Sequence, residues 1–410
     1  MASIRIRMYR TGFGDCFLLT FDSGAAAKHL LLDFGAHMHG EIGTMDLIMD
    51  DIESETGKEI EVIVATHAHR DHISGFGKFA DRFATFRIGQ VWLPWTDNPK
   101  DAAAAGLQRK HLALYDQLEK HLQLKQATGQ SGPEIEAALF ALANLRGNET
   151  STSELARGFG TGADVLYWGA GGALPKVGGV AGLSAEMLGP PKDVSFFNRM
   201  DPPANQRYLT GTGEEVNEIH PFPGQEVKSN TPEFTALKSS GQPEAPQKDI
   251  DALKIAAESP ASRLALALDS IRNNTSLVIL FRYRGKSLLF PGDAQWGNWQ
   301  SWIGNAGANR ILAEVDFLKV AHHGSENATP VSVVEGLKAS GLASMVSTQI
   351  KPFPTIPRVP LLTELEKHCA GHVAVRSDFI EIEGAPAGPN PTPALPHGFT
   401  KGKAWIDYKL

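Results

Sequence analysis

Short apolar runs separated by Gly-containing turns open the chain. Ile4 to Tyr9, Cys16 to Asp22 and His29 to Asp33 read as three strands of a meander, the first with Ile and Arg in alternation. Thr44 to Glu55 spaces its apolar residues as a helix does, whereas Glu61-Val-Ile-Val-Ala-Thr66 is a continuous β-branched run, the mark of a strand buried on both faces. Ile88 to Trp95 predicts a further strand.

The pattern then changes. Asn98 to Arg146 is rich in Ala, Leu, Gln and Lys at helical spacing, and residues 98–182 are read as a helical insertion. Residues 200–250 are dense in Pro, Gly, Ser, Asn and Glu with little periodicity, which predicts a loop or flap. Ser276 to Arg282 and Lys286 to Phe290 form a hairpin about Tyr283-Arg-Gly285. Strand, helix and strand follow at Asp316 to Ala321, Val331 to Ser340 and Ala343 to Thr348. Val373 to Arg376, Phe379 to Glu383 and Ala404 to Tyr408 close the chain as short strands, with Gly384 to Gly398 as a loop. This alternation predicts an α/β protein, residues 1–410 forming one domain with the insertion inside it.

Composition bounds the function. The chain has 410 residues, 42% hydrophobic and 21% charged, and a formal net charge of −7. That balance argues against a basic surface tracking a long nucleic acid, although a local basic groove is compatible with it. Cys16 and Cys369 lack a CxxC pattern and are expected in the core, not in a disulfide or a thiolate site. No apolar run reaches the ~20 residues of a spanning helix, and Met1 to Arg10 has no apolar signal core, so a cytoplasmic protein without membrane association is expected.

The chemistry concentrates in Thr66-His67-Ala68-His69-Arg70-Asp71-His72, directly after the buried run. Three imidazoles and a carboxylate in six residues supply nitrogen and oxygen donors suited to Zn, Mn or Fe. A tight loop after a strand can send these side chains in different directions, His67 and His69 to one ion and Asp71 and His72 to a second. The bland alternative, a chance cluster among 14 histidines, explains neither the Asp nor the preceding strand.

This HxHxDH segment resembles the signature of the metallo-β-lactamase superfamily, which implies a four-layer αββα sandwich with a metal site on one edge. Gly12-Phe-Gly-Asp-Cys-Phe-Leu-Leu19, Leu32-Asp-Phe-Gly35, Asn273-Asn-Thr-Ser-Leu-Val278, Leu289-Phe-Pro-Gly-Asp-Ala294 and Leu318-Lys-Val-Ala-His-His-Gly-Ser325 are similar, in the same order, to motifs of the hydrolase domain of the competence protein ComEC and its soluble relatives. The resemblance covers about half of the chain, outside the insertion and the flap. It implies that Asp293 bridges two metals and that His322 or His323 is catalytic or metal-proximal. Asp33 reads equally as an acceptor for a ligating imidazole N–H and as an Asp opening the turn into Gly35. The implied metal set is His67, His69, Asp71, His72, Asp293 and His323, and the catalytic set Asp71, His322 and His323. The cofactor would be one or two zinc ions, with Mn or Fe as alternatives.

Two departures stand out. No histidine clearly matches the one many members carry between the cluster and Asp293, since His111 and His121 fall in the insertion and His220 in the flap. Where relatives carry a late His-Pro, this chain has Pro352-Phe-Pro-Thr-Ile-Pro-Arg358, which leaves the second ion with Asp71, His72 and Asp293. Arg358 reads as a surface residue or as a charge near a substrate phosphate. Trp92, Trp95, Trp296, Trp299 and Trp302 read as core or interface residues before they read as a stacking groove.

The expected activity is hydrolysis by metal-activated hydroxide, Asp71 positioning the water and His322 or His323 assisting departure of the leaving group. By resemblance the substrate is a phosphodiester, in a small nucleotide or a nucleic acid. Two alternatives stay open: a hydrolase of lactones, thioesters or other carbonyl esters, and a metal-binding regulatory protein with little catalysis. The insertion offers a lid, a partner surface or a homodimer contact.

Overall fold

The computed structural model describes the chain apart from residues 1–2, 23, 25, 40–42, most of 130–147, 172–176, 178, 200, 209–270 except 268, 306, 350–355, 370–373 and 379–394. In chain order the strands are β1 (Ser3–Tyr9), β2 (Gly12–Phe13), β3 (Cys16–Asp22), β4 (Lys28–Phe34), β5 (Met38–His39), β6 (Glu59–Val64), β7 (Arg87–Pro94) and β8 (Asp164–Trp168). They continue as β9 (Leu183–Gly189), β10 (Val278–Tyr283), β11 (Lys286–Phe290), β12 (Phe317–Lys319), β13 (Ala343–Val346), β14 (Val375–Arg376), β15 (Phe399–Lys401) and β16 (Trp405–Lys409).

An eight-stranded sheet has the order β15-β16-β1-β3-β4-β6-β7-β8, a six-stranded sheet the order β14-β13-β12-β11-β10-β9. Facing side chains of the two sheets form one core. Ile6, Phe17, Leu32, Val64 and Trp92 of the larger sheet meet Met187, Phe281, Phe290, Phe317 and Met345 of the smaller. Helices cover both outer faces. Met45–Thr56 and Arg70–Lys78 bury Ile48, Ile52 and Phe76 against Leu18, Leu31 and Ile63. Trp296–Ile303, Ala308–Ala313, Val331–Gly336 and Val359–His368 bury Trp299, Leu312, Val334 and Leu365 against Leu280, Leu289 and Leu318. The architecture is the four-layer αββα sandwich of the metallo-β-lactamase fold.

The alternation in β1 has a physical purpose. Its Ile residues point into the sandwich, while the Arg7 guanidinium, 2% exposed, gives Nε and Nη2 to the Asp407 carboxylate at 2.7 and 2.8 Å and Nη1 to Asp51 at 2.6 Å. A fork on a carboxylate satisfies the buried charge that alternation alone would have placed in water. Antiparallel pairing of β1 with β16 sets Arg7 opposite Asp407.

Several sequence expectations are corrected here. Residues 98–182 are not helical throughout: Ala102–Ala127 is a 26-residue helix, but β8 lies within this stretch and extends the larger sheet beside β7 in parallel register. The segment after His69 is not a loop, because Arg70–Lys78 is a helix. Phe379 to Glu383 and residues 209–250 of the expected flap lie outside the described residues. Cys16 and Cys369 are both buried and unpaired with each other, as expected of core thiols, and burial pushes the Cys369 thiol up to about 12.

Candidate metal centre

Strand ends gather on one edge of the sandwich. β4 runs into Asp33 and Gly35, β6 into Thr66 and His67, β11 into Gly292 and Asp293, β12 into His322 and His323, and β13 into Ser347, while Asp15 lies just before β3. In parallel pairing Leu32 lies beside Val64, so the residues that follow on β4 and β6 emerge together. Asp33 accepts the Thr66 N–H at Oδ1, 2.7 Å, and the Thr66 hydroxyl at Oδ2, 2.8 Å.

Two backbones approach closely where Gly35 meets the Asp71–His72 peptide. A Cβ on Gly35 would lie 2.4 Å from both the Asp71 carbonyl carbon and the His72 nitrogen. The Asp15 N–H donates to the Asp71 carbonyl at 2.9 Å, tying the same peptide to β3. Opening a helix at Arg70 puts Asp71 in its first turn, where the helix N-terminus favours a carboxylate.

Four donors then come together. Oxygen or nitrogen atoms of Asp71, His72, Asp293 and His323 all lie within 4.8 Å of one another, every residue buried. His72 Nε2 is 3.0 Å from Asp293 Oδ2, and His323 Nε2 is 3.0 Å from Asp71 Oδ2 and 3.5 Å from Asp293 Oδ2. The far nitrogens are anchored. His72 Nδ1 donates to Asp33 Oδ2 at 2.8 Å, and His323 Nδ1 donates to the Ser347 carbonyl at 2.8 Å. Since these acceptors cannot donate, each Nδ1 carries the hydrogen, and each Nε2 offers a lone pair to the cluster when the ring is neutral.

The chemistry of this set fits a divalent cation. Two imidazole nitrogens and two carboxylates are borderline and hard donors, and Asp71 Oδ1 is buried without a hydrogen-bond partner among the described residues. In the protein alone, protons must balance the charge. Burial works against it, yet the carboxylates of Asp293 and Asp71 hold the His72 imidazole well above its ordinary value, and Asp293 and Asp71 likewise raise His323. Asp71 and Asp293 are held below the carboxylate range by His72 foremost, against the opposing cost of burial.

His67 and His69 are arranged differently. His67 Nδ1 faces the Thr66 hydroxyl at 3.1 Å and its Nε2 lies 2.9 Å from His69 Nδ1, a separation one shared hydrogen satisfies. Among the described residues no third His, Cys, Asp or Glu joins this pair at the spacing of the four-donor group. Burial is the main cause lowering both, His69 to about 3, so both rings are neutral near pH 7. His67 and His69 thus lie as a pair apart from the four-donor group that holds Asp71 and His72. His323 is the fourth member of that group.

A second acidic group, Asp15, Asp33 and His72, is already compensated. Lys319, fully buried, pairs with Asp15, donates to the Gly292 carbonyl at 2.9 Å and lies 3.2 Å from Asp293 Oδ1. Despite burial, Asp15 and Asp293 raise its pKa, so the ammonium stays charged. Sequence reasoning missed this lysine. Its only signal was a charge inside the otherwise apolar Phe317-Leu-Lys-Val-Ala321.

His322 and His323 have φ of 43° and 53°, left-handed values costly for residues with a Cβ. The turn they form aims His323 inward. His322 instead lies 2.9 Å from Ser325 Oγ and 3.4 Å from Asn273 Nδ2, and burial lowers it to about 4. Arg358 is corrected from a surface residue: it is 5% exposed and donates to Glu326 at 2.8 Å. Trp92, Trp95, Trp299 and Trp302 are buried in the core, and His220 lies outside the described residues.

Comparison with known proteins agrees with this geometry. Residues 10–87 match the family model described as the metallo-beta-lactamase superfamily, a segment that runs from the end of β1 through the histidine cluster to the start of β7. No curated protein matches the sequence. Among the described residues no helix is long and apolar enough to cross a membrane. The matched domain and the sandwich around it make the chain an enzyme of the metallo-β-lactamase fold, a metal-dependent hydrolase.

Proposed function

We propose that this hydrolase cleaves a phosphodiester, in a nucleotide or a nucleic acid, using zinc held by Asp71, His72, Asp293 and His323, with Mn or Fe as alternative ions and with His67 and His69 available to a second. The observation that carries the reading is the convergence of these four buried donors from both sheets. The choice of substrate class rests on the resemblance of the ordered motifs to the hydrolase domain of ComEC.

A bound divalent ion would supply Lewis acidity, lowering the pKa of a water and neutralising charge that develops on the substrate. The chain's own residues position the parts. Asp33 fixes the ring of His72, and the Ser347 carbonyl fixes that of His323. Lys319 holds Asp293 Oδ1 so that Oδ2 faces both imidazoles. Asp71 Oδ1, buried without a hydrogen-bond partner among the described residues, would accept a hydrogen from a water and orient it. His323 would be a donor to a bound ion, and His322, held by Ser325, braces the turn that presents it. No protein nucleophile is required.

The test is turnover of bis-p-nitrophenyl phosphate by zinc-loaded protein beside a panel of lactones and thioesters. Phosphodiester turnover abolished by Asp293→Ala supports the reading. Carbonyl turnover alone replaces it with a carboxyl-ester hydrolase, and metal binding without turnover of either class replaces it with a regulatory protein.

A further inference from the structure

Next in the chain to Asn273, which lies beside His322, stands a cation the reading above does not use. Arg272 immediately precedes the Asn273-Asn-Thr-Ser276 segment that leads into β10, and its backbone is firmly held. Its carbonyl accepts the Thr275 N–H at 3.0 Å and the Thr275 hydroxyl at 2.7 Å. The following residues are wired into the site: Asn273 Nδ2 is 3.4 Å from His322, and the Ser276 hydroxyl accepts the Asp293 N–H at 3.1 Å. The backbone of Arg272 is thereby tied to residues that touch His322 and Asp293.

Its side chain meets the turn that follows β7. Nη2 lies 3.3 Å from Asp97 Oδ1, in the turn Trp95–Asp97 that follows β7. Its charge also acts on His69 of the metal loop and on His111 of the helix Ala102–Ala127. The guanidinium side chain keeps 19% of its surface open and Asp97 keeps 7%, so solvent reaches the cation. One carboxylate orients the planar fork without using all five of its N–H donors.

We infer that Arg272, oriented by Asp97, is the substrate-recognition residue of the centre and binds the non-bridging oxygens of an anionic phosphoryl ester. The inference rests on the hydrolase reading and deepens it, because a lactone or thioester gives this guanidinium no anionic oxygen. It also assigns a task to the inserted helix, whose Gln108 Nε2 donates to the Thr96 carbonyl at 2.7 Å and so steadies the turn bearing Asp97. The competing account is a purely structural ion pair fastening the insertion to the sandwich.

The full chain, reconstituted with zinc, decides between them. Arg272→Gln is combined with Asp97→Asn so that no buried carboxylate is left unpaired, and Arg272→Lys is the conservative variant. The readouts are KM for bis-p-nitrophenyl phosphate, the preference for that ester over neutral p-nitrophenyl acetate, and calorimetric affinity for inorganic phosphate. For the double variant we expect KM to rise about tenfold or more, with a similar loss of preference and of phosphate affinity, at unchanged zinc content. Arg272→Lys recovers part of each. Unchanged KM and phosphate affinity with lowered thermal stability would overturn the inference in favour of the structural pair. If the wild type fails to turn over bis-p-nitrophenyl phosphate, the phosphodiester reading fails by itself. Phosphate affinity still decides on Arg272: a loss in the double variant sustains anion recognition, and no change removes it.

Discussion

His323 Nε2 lies 3.0 Å from Asp71 Oδ2, although 252 residues separate them in the chain. Asp71 comes from the first turn of a helix on the larger sheet, and His323 from a left-handed turn after a strand of the smaller one. A cation between them draws on both halves of the sandwich. His323→Ala and Asp293→Ala should each weaken zinc binding by about 100-fold or more, because each removes a ligand from a set of four. Competition with a chromophoric chelator measures this, and wild-type affinity in both variants would remove these residues from the site.

Asp33 should matter to the metal without touching it. Its carboxylate takes the Nδ1 hydrogen of His72 at 2.8 Å and the N–H and hydroxyl of Thr66. Asp33→Asn should lower zinc affinity about 10–100-fold, the usual range for the partner of a ligating histidine. The fold should persist by circular dichroism.

Replacing Lys319 tests a different kind of dependence. Lys319→Met strands the buried Asp15 carboxylate and should cost about 3–5 kcal/mol in denaturant unfolding. Pairing it with Asp15→Asn removes both charges and should recover most of that loss. A double variant as unstable as the single one would show that the lysine does more than balance Asp15.

Stability should follow pH in opposite ways with and without metal. In the metal-free protein His72 and His323 are raised by neighbouring carboxylates. A raised histidine contributes stability that is full below its unfolded value, about 6.5, and is lost as pH climbs through the folded value. Zinc replaces those protons, so the Tm gain on adding zinc should grow from pH 6 to pH 8.5. Thermal melts with and without chelator check it, and a gain that shrinks over this range would contradict the assigned charges.

Gly35→Ala should disrupt the site by contact alone. Its new methyl would meet the Asp71–His72 peptide at 2.4 Å, backbone against backbone, so neither side can yield by rotating a side chain. We expect lowered stability together with reduced zinc content, measured by melting and by elemental analysis.

Much of this was legible in the residues themselves. The buried run before His67 is strand β6, and the strand ending in Gly-Asp brings Asp293 to Asp71 and His72, two of the donors read from the HxHxDH segment. What stayed hidden depends on neighbours distant in sequence. Lys319 reads as an oddity in an apolar strand until Asp15 and Asp293 are seen around it. The helix from Arg70 was obscured because Gly75 and Gly77 are poor helix formers, retained where Phe34 and Ser151 pack too close for a Cβ. β8 is a short edge strand inside a stretch of helical composition, and only pairing with β7 defines it. Arg358 follows a proline-rich segment that suggests a surface, and Glu326, 32 residues earlier, takes it inside.

The left-handed turn at His322 and His323 has a consequence for the order of events during synthesis. The histidine cluster near residue 70 leaves the ribosome long before Asp293 and His323, and until those arrive its imidazoles and carboxylate have no partners from the second sheet. Tight ion capture is thus a late event, reporting that the two layers have docked; a nascent chain halted before residue 323 should take up zinc weakly however well its first sheet has formed.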